Sequence, residues 1–198
     1  IDGLASVIDQ VAQSGFANYF GAQRFGRNAN NLVEVERLVA AGKLVGDRGR
    51  QRSRGRRGSA PTKSTDNNGL LLSAARSWLY NQVLHARLAD RSGPLSRDDD
   101  GPLWGRGRSA AADPLAAREA NWLAPWQSWC HALEHGGLSQ QRRPLLAYPQ
   151  ALSWQWLDGA TLQLSFGLAA GQYATAMLRE LVELQQPQLT QSDAAVVL

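Results

Sequence analysis

The stretch from Asn18 to Leu32, NYFGAQRFGRNANNL, concentrates groups that bind ligands rather than transform them. Gln23 and Arg24 offer planar hydrogen-bond donors of the kind that grip a phosphate. Phe20 and Phe25 can stack on a flat ring or anchor a loop, and Gly21 and Gly26 allow turns that a side chain would forbid. A plainer reading puts both phenylalanines in a core and pairs Arg24 with an internal carboxylate. A second concentration lies between Asp47 and Asp66, where Arg48, Arg50, Arg52, Arg54, Arg56, Arg57 and Lys63 alternate with glycine and serine. Such a segment has no apolar surface to bury, so it reads as a mobile basic loop over 47–66. Its functional reading is an arm that contacts phosphates and releases counterions; its bland reading is a solvated insertion.

Other reactive types give little. His131 and His135 stand four apart in HALEH and could present two nitrogens to a metal. The order is not H-E-x-x-H and no third ligand stands out, so no metal site is assigned. Asp98, Asp99 and Asp100 read as a solvated acidic run, and Gly105-Arg106-Gly107-Arg108 as a basic loop without a phosphate-loop frame. The sequence has no G-x-S-x-G, Walker or G-x-G-x-x-G pattern, which leaves the usual hydrolase and nucleotide-binding readings unsupported.

The elements that must carry these groups are mostly helical. Leu4, Ile8 and Val11 recur on one face of a helix that Gly15 can end. Asn31 with Glu34 three residues later predicts a capping box opening a second helix, with Val35, Leu38 and Val39 inward and Gly42 as its stop. Leu72, Ala75, Leu79 and Val83 mark a third, and Asp113-Pro114 opens a fourth that runs through Trp122, Trp126, Trp129 and Leu133 to Gly136. The tryptophan spacing is that of a buried face. No convincing set of strands precedes residue 150. After it, Leu152, Trp154 and Trp156 alternate, Asp158-Gly159 predicts a tight turn, and Leu162, Leu164, Phe166 and Leu168 alternate again, which is a hairpin. Ala174, Met177, Leu178, Leu181 and Leu184 then give a last helix. A hairpin and helix cannot stand alone, so this tail is expected to join a larger sheet.

Across its 198 residues the chain carries 43% hydrophobic residues and a net charge of +4, enough apolar content for a core and a modest lean toward a polyanionic partner. One cysteine, Cys130, excludes an internal disulfide framework and suits a reducing, cytoplasmic setting. There is neither a membrane-length apolar run nor a signal-peptide pattern. The first residues, Ile1-Asp2-Gly3, lack a methionine, which raises the expectation of preceding polypeptide.

Four blocks in order then resemble one family. N-Y-F-G-x-Q-R-F-G, complete here in Asn18, Tyr19, Phe20, Gly21, Gln23, Arg24, Phe25 and Gly26, is the signature of the tRNA pseudouridine synthase D family. SAARSWLYNQVLHAR (Ser73 to Arg87) is similar to its S-A-x-R-S-x-x-F-N helix, GPLWGRG (Gly101 to Gly107) to its G-P-x-x-G loop. QRRPLLAYPQALSWQW and LSFGLAAGQYATAMLREL resemble its C-terminal strands and final helix.

The resemblance implies an α+β chain: a helix-rich TRUD-type insertion domain at 17–148, flanked by the end of a catalytic-domain helix at 1–16 and by C-terminal strands and helix at 149–186, with 187–198 a loose tail. It implies isomerisation of uridine, typically uridine 13 of tRNA, to pseudouridine, with no cofactor and no metal, on a base taken out of its stack. In the family the reaction depends on an aspartate in an upstream G-x-K-D-x-x-A-x-T block. None of the aspartates here follows Gly-x-Lys, so no catalytic residue is assigned in this chain, which reads as a C-terminal portion inactive by itself. The residues expected to bind RNA or line the pocket are Asn18, Phe20, Gln23, Arg24, Phe25, Arg76 and Arg179. For Arg76 and for Arg179 with Glu180 the bland reading is a helix-to-helix ion pair. The expected partner is tRNA, with no membrane and a monomeric state. Two rivals remain: a non-catalytic RNA-binding module of the same descent, and a helical adaptor built on the tryptophans. The arginine-rich loop is longer and more basic than the family pattern, and Gln172 stands where serine is usual.

Overall fold

In the computed structural model, which describes residues 2–44, 64–90 and 93–183, the first helix, α1 (Asp2–Ser14), buries Ile8 and Val11. It ends at Gly15 as the sequence suggests: φ is +77°, the glycine N–H donates to Val11 O at 3.0 Å, and a Cβ there would fall 2.6 Å from the Ala147 carbonyl. The chain then forms β1 (Phe16–Ala17) and two 3-10 turns, Ala22–Phe25 and Arg27–Ala29, before α2 (Asn30–Ala40).

The capping box is not made. Asn28 and Ala29 take left-handed conformations (φ 52° and 58°), and α2 starts at Asn30, so Asn31 already lies inside the helix. Its amide turns back to the Arg24 carbonyl at 3.5 Å, while Glu34 is drawn to Arg37, with bonds of 2.6 and 2.8 Å. The other end matches expectation. At Gly42 (φ +63°) the glycine N–H bonds Val39 O at 3.0 Å and Lys43 N–H bonds Leu38 O at 2.8 Å, the paired bonds of a Schellman cap.

The central element is α3 (Ser64–Ala89). The expected basic loop of 47–66 lies outside the described residues up to Lys63. Its last three positions are instead the first turn of α3, where Ser, Thr and Asp suit a helix N-terminus. Apolar side chains cover more than one face of this helix. Leu72, Ala75, Leu79 and Val83 pack with Val35 and Leu38 of α2 and with Leu123, Trp129 and Leu133; Ala74, Tyr80 and Leu84 pack with Phe20, Phe25 and Leu145. Each large side chain so buried stabilises the fold by about 1.5–3 kcal/mol. A helix apolar nearly all round belongs in the middle of a body.

The tryptophan helix is broken. α4 (Leu115–Trp122), a 3-10 turn (Ala124–Trp126) and α5 (Gln127–His135) replace the single helix that periodicity suggests. Pro125 is the reason, since it has no N–H to donate and its ring collides with the preceding turn. The turn preserves the apolar face: Trp129 is buried, with Trp122 and Trp126 packed against the same cluster.

Short strands that no alternation in the sequence marks close the body. β2 (Asp100–Leu103) pairs antiparallel with β3 (Gln141–Pro144), and β1 with β4 (Leu146–Ala147). The acidic run is not simply solvated either: Asp99 accepts from Ser96 N–H at 2.9 Å and pairs with Arg87 at 3.3 Å, and Asp100 pairs with Arg142 at 2.7 Å.

β5 (Gln150–Trp156) and β6 (Leu162–Gly167) form the expected hairpin. Its turn is wider than an Asp-Gly two-residue loop. Leu157 N–H bonds Thr161 O at 2.9 Å, and Asp158 Oδ1 accepts from Ala160 and Thr161 N–H at 2.8 and 2.7 Å. Among the described residues the hairpin pairs with no other strand. The last helix, α6 (Ala174–Leu181), buries Ala176 and Met177 against Val11, Phe16 and Ala147; Leu184 and the tail lie outside the described residues. The fold is α+β, and no helix among the described residues is long and apolar enough to cross a membrane.

Candidate functional site

The 18–26 segment is a buried clip at the junction of α3, β3 and the turn before α6. Asn18 is 3% exposed. Its Nδ2 donates to Pro144 O at 2.8 Å, its backbone N–H to Leu145 O at 2.9 Å, and its Oδ1 accepts from Arg143 at 2.5 Å. Asn81 of α3 clamps the backbone of Phe20 from both sides, accepting its N–H at 2.9 Å and donating to its carbonyl at 3.0 Å. The Phe20 ring meets Tyr80 and Tyr173 edge-on, at 5.4 and 5.9 Å between centroids. The Arg143 guanidinium lies 4.2 Å over the Phe20 ring, and that of Arg24 5.8 Å from it. Phe25 is buried edge-on against Trp78 at 5.8 Å.

Arg24 is half-buried and turned inward. It donates to the hydroxyls of Ser73 and Ser77 rather than to a carboxylate, the Ser77 bond being 3.3 Å long. Among the described residues Arg76 makes no ion pair; it donates to Leu103 O at 2.8 Å and Ser139 O at 2.5 Å, tying the last residue of β2 to the loop before β3. Burial lowers the pKa of its guanidinium. Gln23 is exposed, and Arg179, exposed on α6, has no hydrogen bond or ion pair among the described residues. The structure therefore brings Asn18, Phe20, Arg24 and Phe25 together, sets Arg76 at the Leu103–Gln141 end of the β2–β3 ribbon, and leaves Gln23 and Arg179 on the surface.

Sequence reasoning missed Arg143 and Asn81. One terminal nitrogen of Arg143 reaches Asn18 Oδ1, Gly171 O at 2.9 Å and Asn18 O at 3.3 Å, so it ties the clip to the turn before α6. In the same turn Gln172 Oε1 accepts from Ala169 N–H at 3.1 Å. Tyr80 completes the arrangement by donating to Pro144 O at 2.6 Å, and burial raises its phenol pKa well above the usual range against the opposing charge of Arg143. Tyr19 is raised too, by burial and by the charge of Glu180. The only signal for Arg143 was its place in the QRRP run, and for Asn81 its place in SWLYN. Amides, arginines and phenyl rings can orient a ligand, but none of these types moves a proton or attacks a bond near neutral pH.

No protein-family model matches the chain. Individual relatives do. The chain is 43% identical over 188 residues to the tRNA pseudouridine synthase D of Cellvibrio japonicus, an alignment covering 92% of this chain and 51% of that protein. It is 37% identical over 217 residues to the protein of that name from Aeromonas hydrophila, covering 93% and 56%. For Marinobacter nauticus the figures are 35% over 195 residues, 94% and 52%. The chain thus spans about half the length of the curated relatives it matches. With the clip complete and these relatives aligned along nine-tenths of its length, the chain belongs to the tRNA pseudouridine synthase D family.

Proposed function

We propose that this chain is the C-terminal portion of a cytoplasmic, monomeric tRNA pseudouridine synthase that converts uridine, at position 13, to pseudouridine. Residues 17–148 would form the RNA-gripping insertion domain, and residues 1–16 and 149–186 would complete a catalytic domain whose aspartate lies outside this chain. The observation that carries the reading is the fastening of the Asn18–Gly26 clip to both bodies at once, by Asn81 and Ser73 on one side and through Arg143 to Gly171 on the other. The half-covered apolar face of β5–β6, with Trp156 36% exposed, supports a sheet contributed by the rest of the protein.

In this reading the target uridine is flipped out of its stack. The N-glycosidic bond breaks with help from the aspartate, the uracil turns, carbon 5 bonds the ribose, the carbon 5 proton leaves and N1 regains one. No metal or cofactor takes part. Asn18, Phe20, Arg24, Phe25 and Arg76 shape the pocket wall, while exposed Gln23 and Arg179, with the arginine-rich loop, contact RNA.

Full-length protein given tRNA tritiated at uridine carbon 5 should release tritium, and replacing the G-x-K-D aspartate by alanine should abolish release. Absence of release, with salt-dependent tRNA binding retained, would replace this reading with the non-catalytic RNA-binding module. Arg179→Ala should weaken tRNA binding and lower the salt slope by about one.

A further inference from the structure

We infer that His131, Glu134 and His135, on the last turns of α5, form a binding site for one zinc-class divalent cation, apart from the RNA-facing residues. In sequence the pair of histidines lacks a third ligand; in the structure Glu134 supplies it. One ligand atom from each of the three side chains lies within 4.8 Å of the others, and the imidazole centroids are 4.5 Å apart. Metal–nitrogen bonds of about 2.0–2.1 Å place two donors up to about 4 Å apart, so small side-chain rotations close the set around an ion.

Two features prepare these ligands. His135 Nδ1 lies 2.9 Å from His131 O. A carbonyl only accepts, so Nδ1 carries the proton and Nε2 keeps its lone pair free, the tautomer that metal-binding histidines adopt through such a bond. Glu134 Oε1 accepts from the indole N–H of Trp104 at 3.1 Å, which holds the carboxylate in place and leaves its other oxygen for an ion. His135 also ends the helix, where the backbone dipole favours positive charge. Two imidazoles and a carboxylate are a borderline donor set that suits zinc, cobalt or nickel over calcium or magnesium. His131 and Glu134 also line a cleft of about 250 Å³ beside Trp104, Leu123, Gln127 and Cys130, so a coordination position can remain open to a small ligand.

The test is titration of full-length, metal-free protein with zinc chloride by calorimetry, with cobalt chloride read by visible absorption. One saturable equivalent is expected, with a cobalt spectrum free of thiolate charge transfer. His135→Ala, a change at an exposed position, should weaken binding at least about tenfold, as should Trp104→Phe through the freed carboxylate. Cys130→Ala should bind as the parent does. Equal binding by the parent and by His131→Ala/His135→Ala, loss of binding in Cys130→Ala, or no saturable heat would overturn the proposal. Circular dichroism of each variant separates ligand loss from unfolding.

Discussion

Arg142 and Glu119 meet through two hydrogen bonds of 2.7 Å, one to each carboxylate oxygen, at a point where Glu119 is 1% exposed. The same guanidinium donates to Asp100 Oδ1 at 2.7 and 2.9 Å and to Asp100 O at 2.8 Å. One side chain thereby joins α4 to both strands of the β2–β3 ribbon. Burial by itself pulls the Arg142 pKa down; hydrogen bonds and charges from Glu119 and Asp100 outweigh it and raise the pKa overall.

Removing one member of such a group leaves the other charged and buried. Glu119→Ala should cost about 3–5 kcal/mol in denaturant unfolding, whereas replacing Glu119 and Arg142 together by leucine and methionine should cost far less. A double variant as unstable as the single one would show that the ribbon depends on the ions rather than on the volume they fill.

Asn81→Ala should destabilise by about 2 kcal/mol or more, because it strips partners from both the N–H and the carbonyl of Phe20. Asn81→Asp keeps the acceptor but sets a second carboxylate oxygen against the Phe20 carbonyl, so at neutral pH a loss at least as large as that of alanine is expected in the same urea titration.

Arg143→Lys tests the tie between the clip and the turn before α6. An ammonium keeps the charge but cannot both lie flat over Phe20 and reach Asn18 and Gly171. A loss of about 1–3 kcal/mol is expected, with faster amide exchange at residues 169–173 than in the parent.

Cys130 is 6% exposed, and burial, then the charge of Glu134, push its thiol up to about 12. It should react with a thiol reagent at pH 8 far more slowly than the unfolded chain does. The sign of the pH effect follows. Below the unfolded thiol value of about 8.5 both states are protonated and nothing is lost. As pH rises from there toward 12, only the unfolded chain ionises, so stability falls, and buried Tyr80 adds to the fall above about 10. Unfolding midpoints measured between pH 7 and 11 should decline, and Cys130→Ala should flatten the first part of that decline.

The elements that stood out in sequence are those with a long enough period. α1, α3, β5–β6 and α6 each repeat an apolar position several times. β1 to β4 are two to four residues long and hold Pro102, Pro144 and Gly101, so no alternation can register in them. The apolar period of the tryptophan segment runs straight through Pro125 because its apolar face survives the break. At the site, residue identities were legible and their bonds were not. The partners of Arg24, Arg76 and Asn18 come from other elements, 27 to 126 positions away, and nothing local to NYFGAQRFG announces them.

The pairing of Phe16 with Ala147 and of Ala17 with Leu146 has an architectural consequence. Everything between those two couples departs and comes home at neighbouring points, roughly 5 Å apart, the ordinary spacing of paired strands. Under the domain division proposed above, a unit mounted on so narrow a doorway should tolerate lengthening of its interior as long as the Arg143–Gly171 and Phe20–Tyr173 ties are kept.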